Sequence, residues 1–224
     1  MFDSENQIIL VDKPAGLSSF GVVAKIRGYL KNEFDHKVKV GHTGTLDPFA
    51  TGLLIILTGK MTKKSNEFLK KDKVYEATMK LGYTSTTGDP EGKISGNGPG
   101  GRGPEESVVA AILQEFVGNI SQTPPRFSAI KINGERAYKL ARKGADFELP
   151  SREITIYSIK IISYNYPELT IRCHVSSGTY IRTLAEDIGQ KLGTGAYLTA
   201  LRRLSIADYS VEDAHPLSDF TSSK

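Results

Sequence analysis

The sequence predicts an α+β fold with a largely antiparallel sheet, and three observations lead there. Short runs of β-branched and aliphatic residues are interleaved with helical patterns without strict β–α alternation. Several strand-like runs follow one another directly, as hairpin-connected strands do. Two segments, near residues 20–31 and 181–192, carry apolar residues at helical spacing.

Taken in order, residues 7–11 (Gln-Ile-Ile-Leu-Val) read as a strand ended by Asp12-Lys13-Pro14. Ser18 or Ser19 can cap a helix from about Phe20 to Lys31, with Val22, Val23, Ile26 and Leu30 on one face. A Gly/Thr-rich loop, Gly41-His42-Thr43-Gly44-Thr45-Leu46-Asp47-Pro48, leads into the apolar run Leu53–Leu57. That run suits a buried strand or a helix segment. Residues 73–82 alternate, with Tyr75, Ala77, Met79 and Leu81 on one face, which predicts a half-buried strand.

From Thr84 to Pro104 glycine and proline accumulate, predicting a long loop without defined structure. Residues 105–117 predict a helix and 127–133 a strand, and Glu135–Lys143 a short basic helix stopped by Gly144. Strands at about 153–164 and 168–175 precede the turn Ser176-Ser177-Gly178. A helix follows on which Ile181, Leu184, Ala185, Ile188 and Leu192 share a face, then a strand around Tyr197–Leu204.

The 224 residues suffice for a substantial core, and 39% hydrophobic with 24% charged is ordinary globular composition. No stretch approaches the roughly 18 apolar residues of a membrane span, so no membrane partner is expected. The N-terminus, Met1-Phe2-Asp3-Ser4-Glu5, is acidic and polar rather than a signal peptide. A single cysteine, Cys173, excludes an internal disulfide framework, and its strand face, shared with Ile171 and Val175, makes it a core residue. The expectation is a soluble, cytoplasmic protein.

The net charge of +4 matters less than its placement. Six lysines fall between Lys60 and Lys73 against only Glu67 and Asp72. Arg126, Lys131, Arg136, Lys139, Arg142 and Lys143 surround a Pro-Pro turn and a short helix. Either run alone reads as a solvated face; together they favour a nucleic-acid partner.

Asp47 is the most informative carboxylate, and its residues leave two roles open. Asp followed by Pro can cap a helical turn. Gly41, Gly44 and Gly52 also let the backbone approach a ligand closely, while His42, Thr43 and Thr45 supply polar groups, which suits catalysis. A phosphate-binding loop is not present, because Gly59-Lys60 is followed by Met61 and Leu54 stands where the pattern needs glycine. His36, His42, His174 and His215 lack metal-ligand spacing. Tyr75 reads as a core or cross-strand aromatic, and Arg182 as a surface or ion-pair arginine or one that grips a carboxylate bidentately.

Five blocks resemble the TruB family of tRNA pseudouridine synthases. They are Val11-Asp12-Lys13-Pro14-Ala15-Gly16-Leu17-Ser18-Ser19, Gly41 to Gly52 with its Thr-Leu-Asp-Pro core, Lys73-Val74-Tyr75, Gln122-Thr123-Pro124-Pro125-Arg126-Phe127-Ser128-Ala129, and Ser177-Gly178-Thr179-Tyr180-Ile181-Arg182. They occur in family order and span nearly the whole chain. The resemblance implies the pseudouridine synthase fold, a bent and mostly antiparallel sheet flanked by helices with an RNA-gripping insertion at about 124–144. It assigns Asp47 as nucleophile, Arg182 as the arginine that pairs with it, and His42, Tyr75, Tyr180 and Leu201 as substrate contacts. The implied substrate is the uridine at position 55 of the tRNA T-loop.

On this footing residues 1–212 are expected to form the catalytic domain and 213–224 a short tail without the C-terminal RNA-binding PUA domain common in the family. The chemistry rearranges one nucleoside and imports no group, so no cofactor and no metal are expected. The expected partner is the tRNA T-arm, without guide RNA, and the protein is expected to be a monomer. Two other classes compete: a non-catalytic RNA binder or folding chaperone on the same scaffold, and a uridine methyltransferase. The latter lacks a glycine-rich strand–turn–helix for its cofactor.

Overall fold

A computed structural model of the chain describes residues 4–96, 98, 101–132 and 134–220. In chain order it begins with β1 (Ile8–Lys13), α1 (Ser19–Phe34), β2 (Val40–His42), β3 (Thr51–Thr58), α2 (Ser65–Leu69) and β4 (Lys73–Leu81). Next come β5 (Thr84–Ser85), β6 (Ile94–Ser95), α3 (Glu106–Gln114), β7 (Gly118–Gln122), β8 (Lys131–Ile132), β9 (Glu135–Arg136) and α4 (Ala137–Arg142). The remainder is β10 (Arg152–Asn165), β11 (Glu168–Val175), α5 (Ile181–Lys191), β12 (Ala196–Ile206), β13 (Tyr209–Ser210) and β14 (His215–Pro216). This is the α+β class with mostly antiparallel pairing. The described residues group into two compact units, one within 1–76 and 201–224 and one within 77–200.

In the first unit β3 is the central strand. It pairs antiparallel with β1, from Ile8 opposite Leu57 to Lys13 opposite Gly52, and with β2 beyond. β12 joins it in parallel through Arg202 and Arg203 opposite Thr51 and Gly52. Leu54 and Ile56 face a core of Ile9, Val11, Val22, Val23, Ile26, Leu30, Leu217 and Phe220. Leu53, Ile55 and Leu57 face Phe68, Ile206 and Val211 on the other side. Burial on both faces explains why the run is unbroken rather than alternating, and settles it as a strand. Each such side chain contributes about 1.5–3 kcal/mol.

Ser18 caps α1, accepting from the Gly21 amide at 3.0 Å, and Asp35 ends it in the left-handed region at φ 57°. The helix therefore runs three residues beyond the predicted Lys31. β14 pairs in parallel with β1 through Val11 opposite His215, and Leu217 and Phe220 enter the α1 core, so this part of the expected tail is structural.

In the second unit β10 and β11 form a long antiparallel hairpin with irregularities between Ile156 and Ser158 and between Ile161 and Ser163. β7 extends it, from Arg152 opposite Gln122 to Ile156 opposite Gly118. α5 buries Ile181, Leu184, Ala185 and Ile188, and Cys173 is fully buried.

Several predicted elements differ. The strand expected at 127–133 shrinks to Lys131–Ile132, because residues 126–129 bend, and Asn133 lies outside the described residues. The basic helix begins at Ala137, since Glu135 and Arg136 pair back onto Lys131 and Ile132. β7 has no counterpart among the predicted strands, because its Gly-Asn-Ile-Ser-Gln is too polar to stand out. The 84–104 segment carries defined structure: β5 and β6 pair, and Asp89 between them is buried. Asn97, Pro99 and Gly100 of that segment lie outside the described residues.

Candidate active site

Asp47 sits in the loop joining β2 to β3 and is half-buried. The Ala50 amide donates to the Asp47 carbonyl at 3.1 Å, closing a turn. No described helix begins there, and Asp47 and Pro48 open this single turn.

Three buried polar side chains grip this loop. Lys13 is 0% exposed, and its Nζ donates to the carbonyls of Pro14 (2.8 Å), Pro48 (3.3 Å) and Ala50 (2.6 Å). Ser19 Oγ donates to the Leu46 carbonyl at 2.9 Å and accepts from the Leu46 amide at 2.8 Å. Arg203, 1% exposed, donates through Nε to Leu53 O (2.7 Å) and through Nη2 to Gly44 O (3.1 Å). Carbonyl oxygens thus take the place of water around two buried cations.

Gly44 and Gly52 hold positive φ, 128° and 101°, as a loop built this tightly requires. A Cβ on Gly52 would lie 2.7 Å from Arg203 N and closer still to its carbonyl oxygen. Gly41, also expected to be conformationally unusual, sits in β2 as ordinary strand. His42 ends β2, half-buried beside the loop. Tyr75 and Leu201 are buried on β4 and β12.

In the second unit Arg182 opens α5, and both it and Asp89 are buried. Arg182 Nη1 donates to Asp89 Oδ2 (3.2 Å) and Thr87 O (3.0 Å), and Nη2 donates to Phe127 O (2.9 Å). Asp89 Oδ1 accepts from Thr87 Oγ1 and the Glu91 amide, so the carboxylate is itself held in place. One turn along α5, Glu186 packs toward Gly88, where an added Cβ would stand 2.7 Å from Oε1. Burial first, then the neighbouring Asp187, pushes the Glu186 carboxyl up to about 7, with Arg182 opposing and Asp89 adding to the rise. Tyr180 occupies the N-cap position of α5.

The TruB N-terminal family model, described as a pseudouridylate synthase domain, matches residues 31–181, and the tRNA pseudouridylate synthase B C-terminal domain matches residues 182–224. The chain belongs to the TruB family of pseudouridylate synthases. A tRNA pseudouridine synthase B from Phocaeicola vulgatus is 46% identical over 217 residues, covering 96% of this chain and 92% of that protein. The enzyme of the same name from Aquifex aeolicus is 46% identical over 218 residues, covering 96% and 74%. A solved Cbf5–Nop10–Gar1 complex contains a chain with TM-score 0.71 and 30% identity, matched over 96% of this chain and 53% of that one. The chain therefore spans about half the length of that solved protein.

Within the TruB frame, His42 and Asp47 share one hairpin, and Tyr180 and Arg182 share the start of one helix. Sequence reasoning missed Asp89, hidden in a segment read as structureless. It also passed over Lys13, Ser19 and Arg203 as working parts of the loop, although Lys13 and Ser19 lie inside the first of the five TruB-like blocks. Lys73, counted in the lysine run, is buried, with Nζ on the carbonyls of Leu69 and Lys71. Burial, with Arg203 adding, lowers its pKa to about 8. Among the described residues no group of three or more His, Cys, Asp or Glu is placed to hold a metal ion. No described helix is long and apolar enough to cross a membrane.

Proposed function

We propose that this chain isomerises uridine to pseudouridine in the T-loop of tRNA, with Asp47 as the nucleophilic carboxylate. The observation that carries the reading is the Asp47 loop itself. It lies inside the matched synthase domain and is gripped by Lys13, Ser19 and Arg203, which a reacting group needs and a surface turn does not.

The reaction breaks the bond between C1′ and N1 of uridine and forms one between C1′ and C5. The C5 hydrogen leaves as a proton and N1 gains one, so atoms balance with nothing imported. The target base must leave its stack, at a cost of a few kcal/mol, and stacking on Tyr75 offsets part of that. His42, Tyr180 and Leu201 complete the contacts to the flipped nucleoside in this reading. Arg182 is the arginine that the resemblance pairs with this aspartate.

The insertion at 124–144 closes over the RNA. Supporting this, Arg126, Lys131, Arg136, Lys139, Arg142 and Lys143 are all exposed along it. Their pairing with phosphates makes binding salt-sensitive. Residues 1–212 act as the catalytic portion, as a monomer and without guide RNA.

Incubation with tRNA tritiated at uracil C5 tests the reading. Release of label without any added cofactor is expected from the wild type, and none from Asp47→Asn, whose tRNA affinity stays within about threefold. Release by Asp47→Asn would remove Asp47 from its role. Label release only with a methyl donor would indicate methylation, and binding without release a folding chaperone.

A further inference from the structure

We propose that Gln122 and Arg152 are positioning residues that together hold Tyr180, one by its backbone and the other by its ring. The inference rests on the reading above only in taking Tyr180 as a substrate contact.

Gln122 and Arg152 are direct partners at the end of the β7–β10 ladder. Gln122 is 1% exposed, and its amide spends both polar atoms on one residue. Nε2 donates to the Tyr180 carbonyl at 3.0 Å, and Oε1 accepts from the Tyr180 amide at 2.8 Å. A backbone N–H can only donate, so the amide orientation follows from chemistry. Tyr180 stands at the N-cap of α5 with no side-chain cap bond, and its N–H would otherwise be one of the orphan donors of a helix start. Its carbonyl also receives the Leu184 amide at 3.1 Å, which ties the clamp to the first turn of α5.

Arg152 acts on the ring. Its guanidinium carbon lies 4.7 Å from the Tyr180 ring centroid, a cation–π distance, while Nη2 donates to Gly178 O. Backbone and ring of one aromatic residue are thus fixed by adjacent positions of a single ladder rung. Both polar atoms of this buried amide are thus satisfied by the one residue Tyr180.

Single-turnover tritium release, tRNA affinity and amide exchange at Tyr180 test the proposal together. Gln122→Met removes both bonds and is expected to slow isomerisation about tenfold, with affinity within about threefold and faster exchange at the Tyr180 amide. Gln122→Glu, of equal size, keeps the acceptor and loses the donor, and serves if the Met variant fails to fold. Arg152→Lys keeps charge without the flat stacking group and slows the reaction less. In a Tyr180→Ala background, Gln122→Met should change the rate by no more than about twofold while still lowering the melting temperature. An equal loss in both backgrounds, or unchanged rate and exchange in the single variant, would overturn the clamp. A Tyr180→Ala enzyme with wild-type rate would instead remove Tyr180 from the substrate contacts, with the exchange data still reporting on Gln122.

Discussion

Arg182 and Asp89 form an ion pair of 3.2 Å between side chains only 5% and 4% exposed. At that depth the pair is an orienting device more than a source of stability, since desolvation offsets most of the attraction. With one nitrogen on Thr87 O and another on Phe127 O, the guanidinium has little freedom left. Asp89→Asn retains the shape and removes the charge. We expect isomerisation to slow about ten- to hundredfold, the worth of a charge-assisted hydrogen bond, with tRNA affinity little changed. Single-turnover kinetics beside a binding titration checks this, and a wild-type rate would show that Asp89 does not orient Arg182.

The Asp47 loop gives a second expectation. Lys13→Met withdraws the ammonium from the Pro14, Pro48 and Ala50 carbonyls, of which Pro48 keeps the Gly16 amide. The cost is about 1–3 kcal/mol for each buried group left unsatisfied. Urea unfolding should show a lower midpoint with unchanged slope, and activity should fall more than stability alone explains. Gly52→Ala should cost about 1–3 kcal/mol, because its φ and the nearby Arg203 backbone both resist a side chain.

Glu186 predicts a pH dependence. Its folded pKa of about 7 lies above the ordinary 4.5, so the folded state holds a proton that the unfolded chain releases earlier. Stability from this group is therefore fully present below about pH 4.5 and falls as pH rises toward and through 7. Glu186→Gln should stabilise the protein at pH 8 by about 1 kcal/mol, after discounting for solvent around the partly exposed carboxyl, or about 2–4 °C. Calorimetry at pH 5 and pH 8 checks the sign; an equal gain at both values would contradict it.

The lysine run separates by burial. Lys70 and Lys71 are exposed, whereas Lys73 is not. Lys70→Glu with Lys71→Glu should weaken tRNA binding and reduce the salt slope by about 0.7–0.9 for each phosphate no longer neutralised. Lys73→Met should leave that slope unchanged and cost stability instead. Titrations at several salt concentrations distinguish the two.

Where local pattern decides structure, the sequence was legible. The alternation of Tyr75, Ala77, Met79 and Leu81 is that of β4, and the spacing of Ile181, Leu184, Ala185 and Ile188 is the buried face of α5. The glycines at 44 and 52 marked a constrained loop around Asp47. Illegible were the residues whose burial depends on distant carbonyls. Nothing near Lys13 or Arg203 in the chain shows that their charges meet backbone oxygens rather than water. Asp89 was obscured because a Gly- and Pro-rich stretch reads as loose, although Ser85, Thr87 and the Glu91 amide tie it down.

The bond from Arg203 to Leu53 spans 150 positions, and its consequence concerns timing. As the polypeptide leaves the ribosome, the hairpin bearing Asp47 emerges long before Arg203 exists to fasten it. The fastening therefore waits on residues made late in the chain, whatever the cost of closing the loop between them. Translation intermediates stalled ahead of Arg203 are thus expected to be inert and released chains active.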